Sequence, residues 1–139
     1  MIGKQIDEIQ AGDRAEFSKT ISESDIYLYA GITGDFNPAH INQVYAEKTF
    51  FQSRIAHGLL PAGFISTVIA TKLPGPGTIY VKQELNFTAP VYMGDTVTAS
   101  VEVLEIDAAG NRVILKTICR NQENKVVVEG HALVSPPKG

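Results

Sequence analysis

The stretch from Gly58 to Leu73 reads GLLPAGFISTVIATKL and is the most apolar part of the chain. Pro61 falls in its first turn, where the missing N–H of a proline costs little, so we predict a helix over these residues. A membrane span needs about 20 consecutive apolar residues, and this stretch is too short and too interrupted to provide them. Because the predicted helix is apolar almost all round, other parts of the chain must enclose it.

The second half of the chain supplies a sheet that can enclose this helix. A Pro-Gly-Pro-Gly break at 74–77 is followed by predicted strands at 78–87, 96–106, 113–120 and 125–134. Residues 97–103 alternate valine or alanine with polar residues, as in a strand with one buried face and one face in water. Turn residues at 107–111 and 121–124 predict antiparallel hairpins in sequence order. The pattern predicts an α+β domain in which a curved antiparallel sheet wraps around a central apolar helix, the hot-dog fold.

The N-terminal part of the chain carries signals for one strand and one helix. Residues 14–20 contain a short alternating run, which predicts an edge strand. Ser22 and Asp25 form the capping-box pattern, in which Ser22 accepts a backbone N–H and Asp25 lies at the positive end of the helix. We therefore predict a helix that starts there and ends at the glycines that follow, of which Gly34 is the second.

The composition is that of one globular domain. The chain has 139 residues, 44% hydrophobic and 19% charged, which excludes disordered and coiled-coil proteins and predicts a single domain over 1–139. The formal charge of -3 gives no basic excess, and no local basic patch is present, so we expect no nucleic-acid partner. Cys119 is the only cysteine, which excludes an intramolecular disulfide and a zinc site built on paired thiolates.

The two ends of the chain add expectations about location and order. The N-terminus has no apolar segment of signal-peptide length and carries early acidic residues, so we expect a cytoplasmic protein that does not enter a membrane. A single cysteine fits a reducing compartment. Residues 136–139 contain two prolines, which cannot extend a sheet, and we expect them to form a frayed tail.

The segment Gly34-Asp35-Phe36-Asn37-Pro38-Ala39-His40 places an acid and a base on either side of a rigid turn. Its proline biases the preceding residue away from helical dihedrals, so we expect a loop here and a short helix over 41–48. Burial and mutual proximity can bring the pKa values of Asp35 and His40 toward neutrality, as acid–base catalysis requires. By themselves, the two residues also fit a solvated loop carboxylate and a histidine that caps the next helix.

The 34–40 segment belongs to a wider set of matching segments. These are residues 29–40, 56–59 and 73–80, followed by Phe87, Pro90-Val91 and Gly94-Asp95-Thr96. Together they closely resemble the MaoC-like, (R)-specific enoyl-CoA hydratases, from about residue 18 to residue 134. The Gly-Asp-x-Asn-Pro-x-His string is the specific part, whereas Gly-Asp-Thr alone occurs in many turns. The resemblance implies the hot-dog fold, a homodimer, and reversible hydration of a trans-2-enoyl-CoA to the (R)-3-hydroxyacyl-CoA in fatty-acid or polyhydroxyalkanoate metabolism.

The resemblance also implies roles for three residues. Asp35 and His40 are the implied catalytic pair, with a water between carboxylate and imidazole and with syn addition; which of them protonates the α-carbon stays open. Gly58 is the implied oxyanion-hole residue. A helix N-terminus presents free N–H groups and a partial positive charge, which suit a thioester oxygen that gains negative charge.

Three further residues near this motif have more than one interpretation. Asn37 either orients the water or Asp35, or simply initiates the turn before a proline. Ser66, two helical turns beyond Gly58, either supports the site or bonds its own helix backbone. His57 precedes the apolar helix and is interpreted as a capping or packing residue, outside the catalytic set.

We expect no cofactor and no metal. Gly75 and Gly77 alternate with prolines, which lack the N–H groups that a phosphate-binding loop needs. Coenzyme A is expected as part of the substrate, and Arg54, Lys72 and Lys82 are equal candidates for its phosphates. Four residues could line an acyl pocket or simply form core: Phe50, Phe51, Phe64 and Ile69.

Two other functions are compatible with a hot-dog domain. One is an acyl-CoA thioesterase, which release of free thiol would distinguish from a hydratase. The other is a non-catalytic module that binds acyl-CoA or an acyl-carrier protein, which would show saturable binding without turnover. The presence of both Asp35 and His40 argues against the second.

Overall fold

The computed structural model describes all residues 1–139 and contains four α-helices and five strands. The helices are α1 (Glu23–Thr33), α2 (Pro38–Ile41), α3 (Gln43–Ala46) and α4 (Leu59–Thr71). The strands are β1 (Arg14–Thr20), β2 (Ile79–Phe87), β3 (Thr96–Asp107), β4 (Arg112–Arg120) and β5 (Val126–Ser135). A single 3-10 turn, Ile6–Glu8, precedes them.

All five strands form one antiparallel sheet with the order β1-β3-β4-β5-β2. The two predicted hairpins are confirmed, because Thr117 of β4 lies opposite Val101 of β3 and Gly130 of β5. Strand β1 is an edge strand, as predicted, and pairs with β3. Strand β2 forms the other edge by pairing with β5, a position that the order of strands along the chain does not predict.

Helix α4 is the core of the domain, as its sequence predicts. It packs against β1, β3 and β4, and its Ile65 and Val68 side chains are fully buried. The facing positions of β3, from Val97 to Val103, are also buried at every second residue. Each buried side chain of this size contributes about 1.5–3 kcal/mol. The apolar helix and the alternating strand therefore stabilise each other.

Helix α1 begins and ends where the sequence predicts. Ser22 Oγ accepts the Asp25 N–H at 3.1 Å, and the Asp25 carboxylate accepts the Ser22 N–H at 2.9 Å, so the capping box is formed. Gly34 ends the helix with a φ of 80°, a left-handed conformation that glycine adopts without strain. The residue after this turn is Asp35.

The connection from 34 to 48 differs from the prediction of one loop and one helix. It contains two four-residue helices, α2 and α3, so His40 lies on a helix and not in a loop. Asn37 and Asn42 each cap one of them with a side-chain oxygen, on the Ala39 and Tyr45 N–H groups at 3.1 Å. Proline at the first position of α2 costs no hydrogen bond, which is why the helix starts earlier than expected.

The C-terminal residues also differ from expectation. Pro136 and Pro137 are buried, and only the last two residues are exposed. The Asn111 side chain donates to the Pro136 carbonyl at 2.9 Å, so the prolines end the sheet but the tail packs against the domain. None of the helices combines the length and the apolar character needed to cross a membrane.

Candidate active site

The turn between α1 and α2 holds the carboxylate of Asp35. Its carboxylate oxygen Oδ1 accepts the Asn37 N–H at 3.2 Å, and its own N–H donates to Thr33 Oγ1 at 3.2 Å. The side chain is otherwise exposed. Asn37 uses its side-chain oxygen to cap α2, so of its two interpretations the structure shows the turn-forming one. The Asp35 carboxylate is thus anchored by the backbone and open to a ligand.

His40 lies on α2 with 9% of its surface exposed. Its Nδ1 is 2.7 Å from the Ile55 carbonyl, and because a carbonyl only accepts, Nδ1 carries the proton. In the neutral ring, Nε2 is then an acceptor. Burial lowers the pKa of His40 below its ordinary value, and among the weaker influences the nearby His57 imidazole also lowers it. His40 is therefore a neutral base at physiological pH.

His57 contacts both members of the predicted pair. Its Nε2–H donates to the Asp35 carbonyl at 2.8 Å, and its ring stacks on that of His40 with centroids 4.0 Å apart. Tyr29 covers the ring at 4.6 Å, and the side chain is 2% exposed. The sequence interpretation of His57 as a capping or packing residue did not anticipate that it contacts both Asp35 and His40. Its place beside Gly58, in a segment that matches the resembled family, was the available signal.

Arg54 is a second residue whose position differs from the sequence interpretation. Its side chain is 6% exposed, and its Nη1 pairs with the Glu23 carboxylate of α1 at 2.6 Å. Its Nε donates to the His40 carbonyl at 2.7 Å. Because Arg54 is buried and engaged, it is not available for coenzyme A phosphates. It joins α1 to α2 instead, through Glu23 and the His40 carbonyl.

Gly58 precedes α4 and has ordinary right-handed helical dihedrals. Its N–H has no acceptor within the chain, as expected for the first N–H groups of a helix. A Cβ at this position would lie 3.0 Å from the Phe87 ring. Glycine is therefore favoured here by close approach to Phe87 and not by its dihedral angles.

A cavity of about 330 Å³ opens beside these groups. His40 and Gly58 line it, and the rest of its wall is mostly apolar: Phe51, Ile55, Ala56, Pro61, Phe87, Thr88, Ala89, Pro90, Val91 and Val128. Of the aromatic candidates for an acyl pocket, Phe51 lines it. Phe50 is 92% exposed, and Phe64 belongs to the core, as does the aliphatic Ile69.

Ser66 stands apart from this cluster. It is half-buried on α4 and does not line the cavity, and its hydroxyl makes no hydrogen bond, not even to the backbone of its own helix. The structure thus places Asp35 beside His40, which lines the cavity together with Gly58. Asp35 itself and Ser66 are not part of the cavity wall.

The spacing of the ionisable groups fits a bound water. One carboxylate oxygen of Asp35 and one ring nitrogen each of His40 and His57 lie within 4.8 Å of one another. A water with two hydrogen bonds of about 2.8 Å bridges such a gap. A metal fits poorly, because the two imidazoles are stacked with planes inclined by only 32°. Rings stacked in this way direct their in-plane lone pairs side by side, whereas a shared metal about 2.1 Å from both nitrogens needs them to converge.

Comparison with known proteins agrees with this geometry. The family model described as "MaoC like domain" matches residues 6–127 of the chain. The chain belongs to the MaoC-like family. Its fold is the hot-dog fold of the structurally similar (R)-hydratases.

The relatives of this MaoC-like protein include an enoyl-CoA hydratase and a hydroxybutyryl-CoA dehydratase. The (R)-specific enoyl-CoA hydratase of Rhodospirillum rubrum is 54% identical over 131 residues, which cover 94% of this chain and 90% of the relative. The 3-hydroxybutyryl-CoA dehydratase of Methylorubrum extorquens is 46% identical, over 95% and 83% of the two chains. The structure of the R-hydratase PhaJ1 from Pseudomonas aeruginosa superposes with a TM-score of 0.93 and 44% identity, over 99% and 88% of the two chains.

Proposed function

We propose that this MaoC-like protein is an (R)-specific enoyl-CoA hydratase. It adds water reversibly to a trans-2-enoyl-CoA and forms the (R)-3-hydroxyacyl-CoA, the activity named for its relatives of 54% and 36% identity. One observation carries the proposal. The Asp35 carboxylate and a ring nitrogen of His40 lie within 4.8 Å, next to the free N–H of Gly58 and an apolar cavity.

His40 is the base in this mechanism. With Nδ1–H bound to Ile55, the neutral imidazole presents Nε2, which takes a proton from the water while its oxygen attacks the β-carbon. Asp35 accepts the second hydrogen bond of that water and orients it. The imidazolium of His40 then returns one proton to the α-carbon on the same face. The substrate gains one H and one OH by syn addition, and His40 ends neutral.

Gly58 stabilises the charge that develops on the substrate. Attack at the β-carbon moves negative charge onto the thioester oxygen, which then resembles that of an enolate. The unpaired Gly58 N–H at the start of α4, together with the partial positive charge of the helix N-terminus, suits that oxygen. Proton transfer and charge stabilisation thus come from opposite ends of one short segment, 40–58.

The remaining features follow from the substrate. The acyl chain occupies the apolar cavity, and coenzyme A is the handle of the substrate and not a cofactor. Neither a metal nor a cofactor is needed, because the bases and the N–H donor supply every step. Asn37 supports the turn that holds Asp35, whereas Ser66 has no contact that would give it a part in the reaction. The protein works in the cytoplasm, in fatty-acid or polyhydroxyalkanoate metabolism.

The functional form is a homodimer. Strand β2 is an open sheet edge that exposes large apolar side chains, and open edges of this kind tend to pair. Ile79, Val81 and Phe87 are 64%, 47% and 53% exposed on it. Pairing two copies by a two-fold axis covers this edge and builds a longer tunnel for the coenzyme A thioester. Size-exclusion chromatography with light scattering checks this, and a fully active monomer contradicts it.

Crotonyl-CoA hydration tests the proposed activity. We expect the purified protein to bleach the enoyl-thioester absorbance and to yield only the (R)-3-hydroxy product, determined by chiral chromatography. Release of free thiol would indicate a thioesterase instead. Saturable binding of acyl-CoA with neither reaction would indicate a binding module. Absence of hydration at every acyl chain length overturns the proposal.

A further inference from the structure

We propose that His57 is a positioning residue for the hydration pair, which it holds from both sides: its Nε2–H fixes the Asp35 turn, and its ring face fixes the plane of the His40 imidazole. The catalytic meaning of this role rests on the proposed function. The contacts themselves do not depend on that function.

The hydrogen bonding of His57 is the first argument. Because Nε2 donates to the Asp35 carbonyl, a neutral ring leaves Nδ1 as an acceptor, and that atom is buried without a partner. A buried acceptor without a donor lowers stability, so an ordinary capping or packing role would be filled better by another residue. The ring therefore costs folding free energy at this place, and what it supplies in return is its contact with Asp35 and His40.

The orientation of His40 is the second argument. Ile55 holds its Nδ1–H, and Arg54 Nε holds its backbone carbonyl. The stacked His57 ring closes one face at 4.0 Å. With these three restraints, Nε2 is the ring nitrogen of His40 that remains free to face the substrate. Without the ring of His57, the imidazole of His40 gains freedom to tilt away from the water.

The charges around His40 determine what removal of His57 does to its protonation. Asp35 favours the imidazolium, whereas burial and the adjacent His57 imidazole disfavour it. The buried guanidinium of Arg54 contacts the His40 backbone and is paired with Glu23. Replacing His57 by a neutral amide removes one of the influences that keep the pKa of His40 low. The pKa of His40 then rises, and the acid limb of the pH–rate profile moves to higher pH.

The test uses His57→Gln, which can still donate an amide N–H to the Asp35 carbonyl but has no ring. We expect kcat to fall about tenfold with KM nearly unchanged, because His57 does not line the cavity, and the acid limb of kcat/KM to move up. His57→Ala, which also loses the donor, should lose more, so glutamine restores part of the activity. His131→Gln, the same change at an exposed histidine on β5, is the control and leaves the profile unchanged.

An NMR titration separates this inference from the proposed function. The imidazole resonances of His40 are followed against pH in the substrate-free protein and in His57→Gln, with His57→Asn as a second variant of the same design. The inference predicts a higher pKa of His40 in the variants, whether or not the protein hydrates crotonyl-CoA. An unchanged titration together with wild-type kcat overturns it. A loss of activity as large as that of His40→Ala also overturns it, because His57 would then transfer a proton itself.

Discussion

The apolar core, formed by helix α4 and the sheet, differs from the segment 54–58 in its hydrogen bonding. The difference lies in how many buried polar atoms have no hydrogen-bond partner. In the core, Ile65, Val101 and Leu115 are fully buried among other apolar side chains. In the segment, Arg54 Nη2 and His57 Nδ1 are buried without a hydrogen-bond partner, and they are the only such side-chain atoms in the chain. Gly58 adds an unpaired backbone N–H in the same place.

The difference shows where this domain gives up stability for function. A buried polar atom without a partner costs about 1–3 kcal/mol, and the core avoids such atoms entirely. Of these unsatisfied groups, the Gly58 N–H at the cavity is the one that the proposed function uses for the thioester oxygen, whereas the Arg54 and His57 atoms are buried away from the cavity. The core and the proposed site share α4, whose N-terminus lies at the cavity and whose remaining turns pack in the core. Substitutions at the N-terminus of α4 should therefore change turnover, and substitutions in its later turns should change stability.

The largest expected effect is on turnover at the catalytic pair. Asp35→Asn and His40→Ala should each lower kcat by about two to four orders of magnitude, because each removes a partner of the reacting water. The melting temperature should change little in Asp35→Asn, because that side chain is exposed, and should fall in His40→Ala, which removes a buried ring and its bond to Ile55. Steady-state kinetics with crotonyl-CoA and circular dichroism check this. Near-normal turnover in either variant would contradict the assigned roles.

The opposite pattern, a loss of stability with little loss of turnover, is expected in the middle of α4. Ile65→Ala leaves a cavity beneath the sheet and should lower the free energy of unfolding by about 2–5 kcal/mol. The fraction that remains folded should keep a kcat within a few-fold of the parent. Thr71→Ala, at an exposed position of the same helix, should change stability by no more than about 0.5 kcal/mol. Urea titration measures both, and equal effects at the two positions would contradict the account of the core.

A smaller effect is expected at Gly58, where core and site meet. In Gly58→Ala the new methyl group is pressed against Phe87, which must move, and the N–H donor shifts with it. Turnover should fall about tenfold, less than the 100- to 1,000-fold typical of losing an oxyanion donor, because the N–H itself remains. Adding Phe87→Leu to this variant should restore part of the activity. No rescue would show that close approach to Phe87 is not the reason for glycine.

The smallest expected effect concerns the pH at which the acid limb of kcat/KM lies. His40 must be neutral to accept a proton, and burial holds its pKa below the ordinary 6.5. As the pH falls, the imidazole stays neutral to lower pH than a free histidine would. The acid limb of kcat/KM should accordingly have its midpoint below pH 6.5. A midpoint above that value would mean that burial does not govern the protonation of His40.

Most of the fold could be predicted because its signals are local. The capping box at Ser22, the alternation along β3 and the apolar run of α4 each act within a few residues, and all three are confirmed. The position of β2 at the far edge of the sheet depends on long-range pairing with β5. The packing of Pro136 against Asn111 depends on contacts 25 residues apart, which no local pattern reveals.

The grouping of the site residues, like the fold, was predictable only where the signal is local. Asp35 and His40 stand five positions apart in one motif, so the sequence identifies them together. His57 reaches Asp35 across 22 residues, and Arg54 reaches Glu23 across 31. Their roles depend on how α1, α2 and the start of α4 converge. A sequence pattern for each residue alone favours the simpler interpretation as a capping residue or a surface cation.

Hydration of crotonyl-CoA in ²H₂O tests the central claim most directly. If His40 takes a proton from the water and returns one on the same face, the product carries one deuterium at the α-carbon, syn to the new hydroxyl, and has the (R) configuration. NMR of the isolated product distinguishes the two α-carbon positions. Deuterium anti to the hydroxyl, deuterium scattered over both positions, or an (S) product would contradict the account.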